Sequence, residues 1–406
     1  MNILYLCDEY PPGRHGGIGT SVQLLAWQMA KAGHKVTVAG LYMPGYGGAD
    51  EFEDEGVKVY RFRGMFDGRI FQKQHSLPVR ISNKLLKMSG LMQWGIRRSL
   101  AVYREKLEQL ITENKIDIIE MPDYNDYVRY CSSYVPFPKL SVPVVVKLNG
   151  SNTYFARETG KQVPAHILQM EQDILKQAAA VSSASHYTAI KTTEYLSYPN
   201  KIEVLYNGID TQIPGREISR NPKQVIFTGS LVQKKGIYQL AKAWNMVNQT
   251  MPDARLIIAG KGPQQKVKVL LSKEVITSVS FTGHVEKDTL YNHLCASAIS
   301  VFPSYAEAFA LAPLEAMACG TAVINSSRTS GPELIDDKVN GILINPDDIN
   351  QIAEAILHLL QNPETAQTIA KKGYEKVTRD FEIMKIAEQN LKFYKEVIKS
   401  ESPKSQ

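Results

Sequence analysis

Short apolar runs recur along the chain, each broken by glycine, proline or a polar cluster and followed by a helical pattern. Asn2–Cys7 is the first run; a glycine-rich loop at 13–19 follows, then apolar positions Val22, Leu24, Leu25, Trp27 and Met29 at helical spacing, then a second run at Lys35–Ala39. Ile116–Glu120, Pro143–Asn149, Ala179–Ser183 and Ile202–Tyr206 continue the series, with a helical pattern over Ile167–Ala178. After a polar stretch rich in proline and glycine, the alternation restarts at Val225–Gly229, Arg255–Ala259 and Val279–Thr282, then at Ala298–Phe302 and Thr321–Asn325. Alternating strand and helix of this kind predicts parallel sheets covered on both faces. Residues 348–398 are mostly helical, with an apolar stripe at Ile386, Leu391, Tyr394, Val397 and Ile398.

At 406 residues the chain is too long for one ordinary core, so the alternation divides into two domains. The expected boundaries are 1–212, a linker at 213–223, a second domain at 224–384, and a last helix and tail at 385–406. With 44% hydrophobic and 22% charged residues the composition is globular, and a net charge of +6 does not by itself call for nucleic acid. Cys7, Cys131, Cys295 and Cys319 lie far apart and at no metal spacing, which fits a reduced, cytoplasmic setting. No run is long and apolar enough to span a bilayer, and MNILYLCDEY has the pattern of a first strand, not a leader.

Residues 61–106 hold eleven Lys or Arg against Asp67 and Glu105, interleaved with Ile81, Leu85, Leu91, Trp94 and other apolar residues. Such a stretch suits peripheral contact with the inner face of an anionic membrane or an anionic acceptor; a solvated basic helix face is the structural alternative.

The most informative stretch is PSYAEAFALAPLEAMACG, 303–320. It predicts a strand end, a loop carrying Glu307, a helix from about Ala310 carrying Glu315, and a stop at Gly320; Pro313 is tolerable because it falls in the first turn. Unpaired N–H groups at such a helix start bind anions, and two nearby carboxylates suit sugar hydroxyls. An anionic sugar derivative would use both. A dinucleotide fingerprint is disfavoured, since Gly17-x-Gly19 meets Val22 and Gly260-x-Gly262 meets Gln265. His284, His293 and Cys295 are not at a zinc spacing, so no metal site is expected.

This stretch resembles the two-glutamate motif of the retaining glycosyltransferases of family 4, strongest over 224–346. The resemblance implies the GT-B fold: two doubly wound, Rossmann-like α/β domains facing across a cleft. It implies a metal-independent, retaining hexosyltransferase without cofactor, using a UDP- or GDP-type sugar and a glycan, lipid-linked or small-molecule acceptor in surface polysaccharide or glycoconjugate synthesis. Lys235 stands where the diphosphate-binding lysine belongs, Glu307 would touch the donor sugar, and Glu315 would hold the ribose. Ala308, Phe309, Ala310 and Leu311 would line the donor site, with Gly229, Ser230 and the turn Gly260–Gly262 beside the nucleotide. Gly16, Gly17 and Arg14 would form the phosphate and acceptor loop, and Asn149 would face the reaction.

Several positions depart from the family pattern. Ser230 replaces an arginine, and Lys234, Lys261, Arg328 or Arg14 are the candidate substitutes. Asn149 replaces a histidine and cannot exchange protons near neutral pH. Ala308 and Ala310 replace glycines, which narrows a backbone-lined pocket. These departures leave open a non-catalytic nucleotide-sugar-binding protein, a nucleotide-sugar epimerase or a phosphorolytic enzyme on the same architecture.

Overall fold

The computed structural model describes residues 1–13, 15–42, 48–64, 81, 85–86, 89–213 and 217–401. Within it the chain separates into two compact units, Met1–Gly208 with Ile383–Gln406, and Ile209–Glu382. Each unit is built on one sheet of short strands with helices between them.

In the first unit the strands are β1 (Asn2–Leu6), β2 (Lys35–Tyr42), β3 (Glu51–Asp54), β4 (Val57–Arg63), β5 (Ile118–Pro122), β6 (Val144–Leu148), β7 (Ala180–Ser183) and β8 (Ile202–Val204). Their order is β3-β4-β2-β1-β5-β6-β7-β8, parallel except for the β3–β4 hairpin. The central strands are apolar on both faces because helices cover both, so Ile3 and Tyr5 join one core and Leu4 and Leu6 the other. The chain leaves β1 toward β2 and later returns on its other side with β5. The sheet therefore reverses direction between β1 and β5, where open α/β sheets form a crevice at the carboxyl ends of their strands.

The last helix, Ile383–Glu401, belongs to this first unit: Ala387, Tyr394 and Val397 pack with Ile3, Tyr5 and Val22. Its Tyr394 hydroxyl donates to Oε2 of the buried Glu120 at 2.6 Å, so that carboxylate, pushed up by burial, keeps a partner.

The second unit holds β9 (Asn221–Thr228), β10 (Arg255–Ala259), β11 (Val279–Gly283), β12 (Ser297–Phe302), β13 (Ala322–Ser326) and β14 (Ile342–Ile344). The order is β11-β10-β9-β12-β13-β14, all parallel. Val225, Phe227, Ile299, Val301 and Ile324 pack with Trp244 and Leu240 in its core. Here the order reverses between β9 and β12.

Strand β9 begins at Asn221, inside the stretch whose composition suggests a linker, because Asn221 and Gln224 already pair with β12 and β10. The first helix spans Gly17–Lys31, three residues earlier than Thr20 suggests, with Gly16 as its cap.

Candidate nucleotide-sugar site

The reversal point of the second unit is where Lys235 and Glu307 meet. The carboxyl end of β9 continues into a short turn, Gln233–Lys235, and that of β12 into the loop that carries Glu307. Three contacts join the two segments. Lys235 Nζ lies 2.5 Å from Glu307 Oε1. The N–H of Tyr305 donates to the carbonyl of Lys234 at 2.8 Å. Gly236, at φ +69, packs against Pro303, where an added Cβ would come within 1.8 Å of its carbonyl oxygen. Only glycine fits there.

Burial raises the Glu307 carboxyl, but Lys235, Lys234 and a hydrogen bond from Ser304 outweigh it and hold the group below its usual range. Burial also lowers Lys234, against the pull of Glu307. One cation thus pairs with this carboxylate and the charge of a second acts on it.

Beyond Glu307 the chain enters the helix Leu311–Ala318, with Pro313 in its first turn and Gly320 at φ +68 after its end. Ala310 caps it and offers no side-chain hydrogen bond to the first turn. That leaves a helix start able to receive an anion. Ala308, Phe309 and Leu311 are buried, with the Phe309 ring 5.5 Å from that of Phe381. The Ala308 and Ala310 methyls therefore sit where the backbone is already packed or capping. Glu315, in the second turn, is half-buried, and burial raises its carboxyl against the opposing charge of Lys287.

The glycine turns have a structural cause of their own. A Cβ on Gly260 would lie 1.8 Å from the Gly229 carbonyl oxygen, and one on Gly262 would lie 2.6 Å from Leu231 Cβ. The loops after β9 and β10 therefore cross backbone against backbone, and this crossing presents Ser230 to solvent. Of the candidate substitutes for an arginine at 230, Arg328 is paired with Asp347 and stacks over Tyr305, and Lys261 is exposed. Lys234 is the one whose charge interacts with Glu307. Arg14 lies outside the described residues.

The first unit gathers acids at its own reversal point, none of which the sequence patterns single out. Asp8 follows β1 and takes hydrogen bonds from the N–H groups of Leu41 and Asp126; burial and Asp126 push it up to about 7. Glu9 accepts from the N–H of Gly19 at 3.0 Å, so the chain's own carboxylate sits at the helix start that Gly16 and Gly17 lead into. Asp123 follows β5 and accepts from the Asn149 N–H at 2.7 Å; burial and Glu171 raise it to about 7. Asn149 turns its Nδ2 to the Lys147 carbonyl at 3.3 Å. Their common signal was position: Asp8 and Glu9 come within three residues of the end of β1, and Asp123 directly follows β5.

The basic stretch at 61–106 is not one surface. Arg61 is buried, donates to the carbonyls of Tyr10 at 3.0 Å and Pro12 at 2.6 Å, and stacks over Phe52. Arg63 pairs with Asp50. Both brace neighbouring chain, and burial removes Arg61 from any docking face. Arg69, Lys73, Arg80, Lys84 and Lys87 lie outside the described residues. Arg97, Arg98, Arg104 and Lys106 are exposed on the helix Leu91–Asn114.

Two family models match this chain: "Glycosyltransferase Family 4" over residues 15–213 and "Glycosyl transferases group 1" over 209–376. A glycogen synthase of Mycobacterium tuberculosis is 25% identical over 417 aligned positions, covering 97% of this chain and 94% of that one. Among solved structures, a sucrose-phosphate synthase of Thermosynechococcus elongatus superposes with a TM-score of 0.78 at 20% identity, over 98% of this chain and 100% of the other. Anabaena HepE in complex with UDP and glucose superposes at 0.65 and 19% identity, over 98% and 100%. The fold shared with these structures is GT-B.

Proposed function

Because this chain belongs with the family 4 glycosyltransferases, we propose that it transfers a sugar, with retention and without metal, from a nucleoside-diphosphate sugar to a hydroxyl acceptor. The observation that carries this reading is the Lys235–Glu307 pair at the reversal point of the second sheet, shortly before a helix start whose cap residue, Ala310, offers no side-chain hydrogen bond. A diphosphate meets Lys235 and the N–H groups of that start; Glu307 then faces the sugar, and Glu315 accepts from the ribose hydroxyls. Stabilising the leaving diphosphate is the main electrostatic task, and donors already fixed by the fold need little reorganisation. With Lys235 and the helix start supplying the positive charge, the chain itself gives the charge neutralisation that a divalent ion would otherwise give. The complex of Anabaena HepE with UDP and glucose supports a nucleoside diphosphate as the carrier.

The test is release of free nucleoside diphosphate from UDP- and GDP-sugars, with and without acceptors, after dialysis against chelator. Acceptor-dependent release that survives chelation is expected. Binding without release supports a binding protein, altered sugar without release an epimerase, and rescue by Mg²⁺ or Mn²⁺ alone overturns the metal-independent mechanism.

A lipid-linked acceptor at the inner face of a membrane is the reading we favour on the acceptor side. Among the described residues no helix is long and apolar enough to cross a membrane. On the helix Leu91–Asn114, Leu91 and Trp94 are each more than half exposed, and Arg98 lies 5.5 Å from the Trp94 ring. An exposed tryptophan beside arginines suits an anionic interface. The protein is expected to sediment with anionic vesicles at low salt and to be released as salt rises. W94A/R98A should weaken that binding; equal partition onto neutral vesicles would leave only a solvated helix face.

A further inference from the structure

Lys235 cannot hold Glu307 and a diphosphate equally well. In the free chain its ammonium is 2.5 Å from the Glu307 carboxylate. A phosphate that draws Lys235 away removes a cation from a carboxylate that burial already disfavours as an anion. Without a second cation, the burial that raises the Glu307 carboxyl would have less to oppose it.

The neighbouring residue answers this. Lys234 lies in the same short turn, is half-buried, and its carbonyl is tied to Tyr305, two residues before Glu307. The Gly236 contact with Pro303 closes the other end of the turn. The lysine turn is thereby fixed to the glutamate loop independently of the Lys235 side chain. Among the described residues, Lys235 and Lys234 from the turn and the Ser304 hydroxyl from its own loop act on Glu307. The nearby Arg328 is committed to Asp347.

We propose that Lys234 is the positioning residue for Glu307: when Lys235 turns to the donor's diphosphate, Lys234 takes over the carboxylate and keeps it ionised and aimed at the sugar. This rests on the glycosyl-transfer reading for its role in turnover, but the exchange of partners can be tested without any donor. K235M imitates the withdrawn lysine. In the free protein, the Glu307 carboxyl, followed by carbon NMR and identified by its loss in E307Q, should remain ionised in K235M through Lys234. In K234M/K235M it should titrate about one pH unit or more higher. K234R/K235M should restore the lower value and serves as the check where the double variant folds poorly.

For turnover, K234M should shift the acid limb of the rate profile to higher pH, since removing a cation makes the carboxylate easier to protonate, while nucleoside-diphosphate affinity stays within about threefold. An unmoved Glu307 titration between K235M and K234M/K235M would overturn the proposal. So would a loss of nucleoside-diphosphate affinity of about tenfold or more in K234M, which would make Lys234 a phosphate contact. Wild-type protein that neither binds nor turns over any donor would instead sink the transfer reading, and the free-protein titration would still decide the role of Lys234.

Discussion

Glu307→Gln slows transfer by roughly 10²–10³ in kcat, the effect of losing one preorganised group at the reacting centre. Glutamine keeps the shape of the side chain but not its charge, and charge is what matters as positive character develops on the sugar ring. The same change is expected to act in the opposite direction on nucleotide binding. In the free chain Lys235 is engaged by Glu307 at 2.5 Å, so a diphosphate must compete with the carboxylate for it. With the competitor neutral, free nucleoside diphosphate should bind unchanged or a few-fold tighter. Calorimetry with free nucleotide and turnover at saturating donor make the comparison. Weaker nucleotide binding with unchanged turnover would show that Glu307 serves the diphosphate and not the sugar.

This opposition could not be anticipated from sequence, where Lys235 and Glu307 are 72 positions apart. What was legible was local. Pro313 marks a helix start because it is tolerated only in a first turn, and Gly320 marks its end because the chain there takes φ +68. The apolar runs located strands with small errors at their ends, since strand residues buried on both faces leave little choice of side chain. The parallel arrangement followed from the helices between them.

The less legible features all depend on contacts between distant segments. Arg61 looks like one member of a basic surface stretch, yet the fold brings the carbonyls of Tyr10 and Pro12 to it and buries it against Phe52. Gly260 looks like a ligand-approach glycine; its first necessity is the Gly229 carbonyl 1.8 Å from where a Cβ would stand. The acids Asp8, Glu9 and Asp123 are short polar punctuation in the sequence. The sheet order makes them neighbours, by placing β1 beside β5 and turning their ends toward one crevice. Asn149 belongs to the same group: its N–H is held by Asp123, so the residue that stands where the family has histidine adjoins a carboxyl raised to about 7.

Glu315 should fail in a different way from Glu307. It lies in the second turn of its helix, past the start that would receive the diphosphate, and no lysine pairs with it as Lys235 pairs with Glu307 among the described ion pairs. A half-buried carboxylate of this kind gains from two ribose hydroxyls, each a hydrogen bond to a charged group. Glu315→Gln is therefore expected to weaken free nucleoside diphosphate by about 10–100-fold, the range for a charge-assisted bond worth about 1.5–3 kcal/mol, whether or not a sugar is attached. Its pH dependence gives a second reading. Burial raises the Glu315 carboxyl against the pull of Lys287, so in the free protein it takes up a proton at higher pH than an exposed glutamate. As pH falls through that raised value the carboxylate is lost, and the wild type loses the advantage it holds over the glutamine variant. The ratio of the two dissociation constants should be largest near neutral pH and shrink toward one as the solution is acidified. A ratio that stays constant with pH would mean that the Glu315 carboxylate does not contact the nucleotide.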